Sequence, residues 1–329
     1  MSRCLRRSAH GGRKSVRTVA RVAAALLAAG LAMPAAGAGY DAGFQMIEEP
    51  VDPRAIAMGT AGTALDTRGF FYYNPAQPAL SASNYLSFEY GQQSGDVRRA
   101  MIEGGWNFRK WYLAAGVPTT TISDIQAADE RGTLPLFFSS QTTMVALAGG
   151  VVWKDLAVGL GLHGIQDRID TYAGYALSVS AGATYRLLSD RLTVGAAGFF
   201  PRFLTTTRGM LTEEWGEGAI LNRAARLGAA WQDSIRSIGY AAALDLVYND
   251  ALENVSVPVG IEVRPVRMLA IRLGKRFNHD TDKFNFGLGF RLAPISADVS
   301  FVITRWVDDT GLKWLFSLAY SLPRPRTEQ

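Results

Sequence analysis

Three histidines are present, His10, His163 and His279, and imidazole is the side chain best suited to moving a proton near neutral pH. His163 is flanked by Gly161 and Gly164, and Ser178 and Ser180 follow in the same phase of the next alternating segment. A hydrolase built on a barrel wall wants His, Ser and an acid or amide gathered on neighbouring strands. A pairing of His163 with these serines is one reading. The other, which the pattern favours, is a lumen histidine hydrogen-bonded in a polar network. His279 lies beside Asp280 and Asp282 in an oxygen-rich segment of the kind Ca²⁺ prefers, but three candidates are too few for a metal site. No GxSxG, zinc-ligand spacing or phosphate loop occurs. The expectation is therefore a non-enzyme with no metal and no cofactor.

The other residues that could act are apolar. Leu134, Leu136, Phe137 and Phe138, with Pro135 between them, form a greasy stretch inside the long connection expected over 119–139. Exposed apolar patches mark sites for lipids, hydrophobic ligands or proteins. These residues could equally cap a barrel mouth or begin the following strand at a lipid interface. The second long connection, 201–219, contains Met210, Leu211 and Trp215 and could fold over them.

The elements that must position these residues read as strands. From 84 to 322 the chain repeats segments of about ten residues that alternate between an apolar and a small or polar face. In 283–292, Phe284, Phe286, Leu288, Phe290 and Leu292 oppose Asn285, Gly287, Gly289 and Arg291. A period of two means strand. The second face is rich in Gly, Ala and Ser, with scattered charges: Glu89, Glu103, Arg186, Arg226, Asp245, Glu262, Arg272, Arg291 and Asp298. Such a face suits a crowded lumen. The apolar face, with Trp106, Trp111, Trp153, Trp231, Tyr240, Tyr248, Trp306 and Trp314 near strand ends, suits lipid and its interfacial girdles.

The pattern predicts about fourteen strands of an up-and-down antiparallel transmembrane β-barrel. Tight turns are expected at 109–110, 154–155, 188–190, 232–235, 265–266 and 293–294, alternating with longer connections. Short periplasmic turns and long outer loops are the habit of outer-membrane barrels. Closure is required because lipid leaves no partner for an unpaired backbone group.

Residues 1–38 read as a secretory signal peptide. Seven basic side chains precede residue 22, an apolar run fills 22–33, and Ala36-Gly37-Ala38 gives a small-residue exit. Such a run is too short to span a bilayer as a helix, which needs about 20 residues. With the signal go seven positive charges, so the formal net charge of +5 becomes −2. The positive balance is then no argument for nucleic-acid binding. The single cysteine, Cys4, leaves with it, which excludes disulfides and thiolate metal sites in the remainder.

Residues 39–83 do not alternate. They carry Pro53, Arg54, Met58, Gly59 and Gly62 at near-helical spacing of small residues. The aromatic run 70–73 follows, then Asn74, Pro75 and Ala76. Glycines here permit close backbone approach, and an Asn-Pro pair punctuates. The segment could sit inside the lumen against the Gly/Ala/Ser face. The stretch from Pro53 to Gly59, the Ala61–Leu65 run and Asn74-Pro75-Ala76 resemble the N-terminal signature of the PorV/PorQ family. That family lies within the group similar to FadL long-chain fatty-acid transporters. The resemblance implies a plug or hatch over 39–83 inside a barrel over 84–322, with a short tail at 323–329. It departs from the pattern at Asp66-Thr67-Arg68, where an acidic pair often stands, and in ending beyond the aromatic Tyr320.

Two roles follow as expectations for a protein of the cell outer membrane, surrounded by its lipid and inserted by the barrel assembly machinery. In one, a hydrophobic small molecule passes through a plugged barrel. In the other, implied by PorV and PorQ, a type IX secretion-system protein or secreted cargo is held at the surface. The opposed lumen charges favour a plugged barrel over a greasy tunnel.

Overall fold

The computed structural model describes residues 50–92, 97–108, 110–129, 132–170, 172–208, 215–217, 224–249, 254–279, 282–305 and 310–322. The expected signal peptide, the start of the 39–83 segment, Trp306, Asp280 and the tail lie outside the described residues. Within them the chain forms β1 (Asn84–Gln92), β2 (Val97–Asn107), β3 (Trp111–Asp129), β4 (Gly132–Trp153), β5 (Leu156–Ile169), β6 (Tyr172–Leu187) and β7 (Leu192–Arg208). After the short β8 (Trp215–Glu217) come β9 (Ala224–Ile235), β10 (Ile238–Asn249), β11 (Asn254–Val266), β12 (Leu269–Phe277), β13 (Asp282–Leu292), β14 (Ile295–Arg305) and β15 (Thr310–Leu322).

Every strand pairs antiparallel with its neighbour in sequence, except that β7 pairs directly with β9. The β1–β15 ladder, Asn84↔Leu322 to Gln92↔Trp314, closes the ring. The barrel thus has fourteen strands, as the alternation predicts, and β8 hangs on the end of β7. Closure leaves no open edge, which is the condition for burial in lipid.

The two faces sort by chemistry. Large apolar side chains such as Leu86, Phe88, Leu147, Leu244, Ile261, Leu288 and Leu318 are exposed around the outside. A band of that kind is tolerable only against hydrocarbon. Aromatic pairs stand at its margins: Phe108 stacks on Trp111 at 3.7 Å between ring centres, and Tyr90 meets Trp314 at 6.0 Å. Inward residues are small or polar, including Ser178, Ser180, Gly260, Glu262 and Arg272. Arg291 keeps the inward phase of Gly287 and Gly289 but is exposed at the turn end of β13.

Four expected connections are corrected. The turn placed at 232–235 comes at 236–237, because the β9–β10 ladder continues to Ile235↔Ile238. The turn placed at 265–266 comes at 267–268. Pro265 sits inside β11 beside a register shift, where its missing N–H breaks no regular pairing. The largest correction is 119–139. This stretch is a hairpin, with β3 and β4 running on to Asp129↔Gly132 through two register shifts. Its Thr and Ser residues had suggested a loop, but beyond the lipid both faces of a strand meet water, so alternation fades while pairing persists. Likewise β7 carries the start of the expected 201–219 loop as far as Arg208.

The wall is consequently uneven. β3 and β4 have 19 and 22 residues and β5–β7 have 14, 16 and 17, whereas β1, β2 and β9–β15 have 9 to 13. About 9–11 residues suffice to cross, so β3–β7 stand above the rest at the end opposite the turns at 154–155, 236–237, 267–268 and 293–294.

Candidate functional site

Residues 50–81 lie almost wholly buried inside the ring. A short helix α1 (Pro53–Ala57) starts the segment, and a 3-10 turn at Gln77–Leu80 ends it. Pro53 occupies the first helical turn, where its missing N–H costs nothing. Asp52 caps α1: its side chain accepts from the backbone N–H of Arg54 at 3.1 Å and of Arg68 at 2.8 Å. Burial, with the Asp298 carboxylate nearby, pushes Asp52 up to about 6, against the pull of those N–H donors and of Arg68.

Shape fixes the first contact with the wall. A side chain on Gly260 or Gly274 would run into Met58 and Gly59, and one on Gly287 would lie 2.6 Å from Ala57 Cβ. Gly59 has φ +70°, and a Cβ there would stand 2.5 Å from the Val259 carbonyl oxygen. Further along, a Cβ on Gly195 would stand 2.6 Å from the Thr63 carbonyl and one on Gly159 2.7 Å from that of Pro75. The glycine-rich face is therefore the imprint of this segment, which is why the sequence is dense in small residues on that phase.

Charge fixes the second. Arg54 donates to both oxygens of Glu262, at 2.9 and 3.1 Å, and to the Asp66 carbonyl at 2.7 Å. Burial works against its charge, but Glu262 outweighs burial and holds the guanidinium above its ordinary range. Glu262 also accepts from Arg272 at 2.7 Å and pairs with Arg264 at 3.3 Å, while Arg272 reaches Asp298 at 2.6 Å. Asp245 accepts three bonds on one oxygen: Gly62 N–H and Thr63 N–H at 2.9 Å and the Thr63 hydroxyl at 2.7 Å. Glu103 accepts from Gly69 N–H at 2.7 Å and Tyr85 at 2.6 Å. Arg68 lies over the Tyr85 ring at 3.8 Å, and Arg226 over Tyr72 at 4.1 Å.

The Asn-Pro-Ala turn makes the third contact. Asn74 donates to the Thr63 and Ala183 carbonyls, each at 3.1 Å, and accepts from Ala76 N–H at 2.9 Å. Tyr112 donates to the Pro75 carbonyl at 2.9 Å. Gln77 binds the Gly62 and Leu65 carbonyls and the Thr67 hydroxyl, and Asn107 holds the exit through the Pro78 and Ser81 carbonyls. The structure thus brings Pro53, Arg54, Met58, Gly59, Gly62, Asn74, Pro75 and Ala76 together in one seat. Their wall partners Glu103, Tyr112 and Asn107 were not singled out for this from sequence. Only their inward phase could have signalled them.

The apolar stretch is separate. Leu136 and Phe137 are each 63% exposed in the tall β3–β4 hairpin, and Phe138 is half-buried. Leu134 lies on the same strand, in β4 and not in a loop. The inner wall divides as well. Met101, Met144, Ile165 and several alanines on β2–β6 pack with Phe70–Tyr73, whereas the buried charges gather on β9–β14 and β1–β2. His163 is fully buried, its ring nitrogens 3.5 Å from Ser178 Oγ and 3.4 Å from Ser180 Oγ. His279 lies just past the end of β12, and no group of three His, Cys, Asp or Glu is placed to hold a metal among the described residues.

No protein-family model matches the chain, and no curated protein matches it in sequence. Among solved structures, the chain is similar to the Pseudomonas putida toluene transporter TodX, with a TM-score of 0.56 and 13% identity over 83% of this chain and 98% of that one. It is similar also to a deltaS2 mutant of TodX, described as a monoaromatic hydrocarbon channel, with a TM-score of 0.57 and 11% identity over 83% of this chain and 99% of that one. At such identities the likeness is one of fold: a closed antiparallel β-barrel like that of TodX.

Proposed function

We propose that the protein sits in the outer membrane, delivered by the signal peptide at 1–38, and passes small hydrophobic molecules, with residues 50–83 acting as the hatch. The observation that carries this reading is the divided lumen. One wall, β3–β6, carries no fully buried charge among the described residues and is covered by an aromatic run; the other holds the segment by charge. The apolar wall rises into the tallest strands, where Leu136 and Phe137 stand exposed. A hydrophobic molecule would meet apolar side chains first outside and then within. The fold shared with TodX and the resemblance to FadL-like proteins support the same reading. Passage needs no energy input, only a ligand that binds the open state better than the closed one.

A second reading, a type IX secretion scaffold of the PorV/PorQ kind, draws on the fully seated segment and on the exposed Leu136 and Phe137. One experiment separates the two. The chain is expressed in a Gram-negative host with an intact lipopolysaccharide layer, and initial uptake of radiolabelled propylbenzene is compared with that of a Leu136→Ser/Phe137→Ser variant. Uptake above the empty-vector level that falls several-fold in the variant supports passage. Background uptake from a folded barrel that instead retains a protein through this hairpin refutes it and leaves the scaffold.

A further inference from the structure

The passage reading leaves open what chemistry the apolar wall selects, and the strand register answers it. Successive inward rows run Met144–Ile165–Ala176, then Ala146–His163–Ser178, then Ala148–Gly161–Ser180. The middle row continues through Gly116 to Glu103 on β2. Around His163 the wall is therefore cut back to hydrogens and methyl groups. That room is taken by the hatch: Phe71 Cε1 lies 3.6 Å from where a Cβ on Gly116 would stand, and Phe71 is buried in the same cluster as Met101, Met144, Ala146 and Ile165. The chain thus seats one of its own neutral rings on this wall.

The polar side chains on this row are His163, Ser178 and, at its β2 end, Glu103. His163 meets its two serine hydroxyls only at 3.4–3.5 Å, the outer limit of a hydrogen bond, so the three groups hold one another weakly. No cation serves the row. β3 and β4 contain neither Lys nor Arg, and Arg168 of β5 is exposed. Arg68 and Arg226 are spent on the Tyr85 and Tyr72 rings. The nearest ionisable wall groups are Glu103 at the β2 end of the row and, two rows away, Asp167, bonded by Thr142 at 2.8 Å, with the buried Arg99 on the same row as Asp167. A carboxylate placed here would leave water beside Glu103 with no cation on its own row, which costs far more than one methylene more or less in an apolar site.

Resting on the passage reading, we propose that this wall is a binding site for a small neutral hydrophobe carrying a single hydroxyl or carbonyl group. Its apolar body replaces the Phe71 ring, and its one polar group lies between His163 and Ser178. Anionic amphiphiles are disfavoured by burial with no cation on the row and by Glu103 at its β2 end.

The test is equilibrium binding to full-length processed protein in lipid nanodiscs, with empty nanodiscs subtracted. The probes are 4-propylphenol, propylbenzene and 4-propylbenzoate. Phe71→Ala should tighten 4-propylphenol by about tenfold or more, because the competing ring is gone. 4-Propylphenol should be preferred over propylbenzene by about tenfold, the effect of one neutral hydrogen bond, and 4-propylbenzoate should bind weakest. His163→Leu and, separately, Ser178→Ala should erase the preference while leaving propylbenzene binding in place. Leu65→Ala opens a comparable void in the other cluster, with Met58, Ala61, Ala230 and Ala243, and should show no such preference. A preference that is absent, that survives His163→Leu, or that Leu65→Ala reproduces would overturn the site. Benzoate binding as tightly as phenol would overturn its neutrality. Loss of the preference with propylbenzene uptake intact sinks this inference and leaves passage standing; no probe binding to wild type or Phe71→Ala, with no uptake, sinks both.

Discussion

Glu262 is the wall carboxylate that pairs directly with Arg54 of the 50–83 segment, so Glu262→Gln is the most informative perturbation of the seat. It receives Arg54 from the hatch and Arg272 and Arg264 from the wall. Gln keeps the shape and removes the charge. Arg272 retains Asp298 at 2.6 Å, but Arg54 keeps only neutral acceptors, the Asp66 carbonyl and the Gln amide oxygen. Removing one member of a buried pair costs about 3–5 kcal/mol, because the other charge stays buried without a partner. Undocking releases Arg54 to water and relieves that cost, so the docking equilibrium should weaken by about 150- to 5,000-fold. The assay is labelling of Ala61→Cys by a water-soluble maleimide, with Cys4 absent or replaced. Ala61 is fully buried in the seat, so labelling reports the undocked fraction. Arg54→Met should be milder, since Glu262 keeps Arg272, and the double variant Arg54→Met/Glu262→Gln should recover much of the loss. A labelling rate in Glu262→Gln within tenfold of wild type would refute the reasoning.

Three further outcomes follow from the same geometry. Gly274→Val drives a side chain into Met58 and Gly59, so the barrel should still form, by heat-modifiable gel mobility, while Ala61→Cys labels without protection; Gly164→Ala, with nothing within 4 Å, should be silent in both. Asn74→Ala removes one hydrogen bond to the wall, at the Ala183 carbonyl, and two within the segment and should weaken docking by about 1–3 kcal/mol on the same labelling readout. Asp52, raised from 3.8 to about 6 in the seat, favours docking when protonated: its contribution is fully present below about 3.8 and is lost as pH rises through about 6, a difference of about 3 kcal/mol at most. Labelling should therefore quicken between pH 4 and pH 7 after correction for the maleimide's own pH dependence, and Asp52→Asn should flatten that component.

The barrel was legible because period-two alternation is enforced twice, by lipid outside and by packing inside. Segments such as 283–292 needed no further information. The seat was legible only as a motif. Arg54 and Asn74 stand out by type, but their partners Glu262 and Ala183 lie more than 100 residues away, and no local spacing encodes a contact across a lumen. The glycines on the wall suggested close approach without saying what approaches. Where the environment changes, the pattern misleads: Leu136 and Phe137 were placed in a loop because, above the lipid, water on both faces removes the alternation that marks a strand. The division of the wall into an apolar and a charged half was also hidden, because it arises from which strands neighbour one another around the ring.

The central claim is that hydrophobic molecules pass only when residues 50–83 move. Ile56 and Val302 belong to one buried contact cluster across the seat, so cysteines at both positions allow the hatch to be locked by oxidation or a short bis-maleimide. Initial propylbenzene uptake is then measured in intact cells before locking, after locking, and after reduction of the disulfide. The account predicts uptake that falls to the empty-vector level on locking and returns on reduction. Uptake unchanged by a verified lock would contradict it.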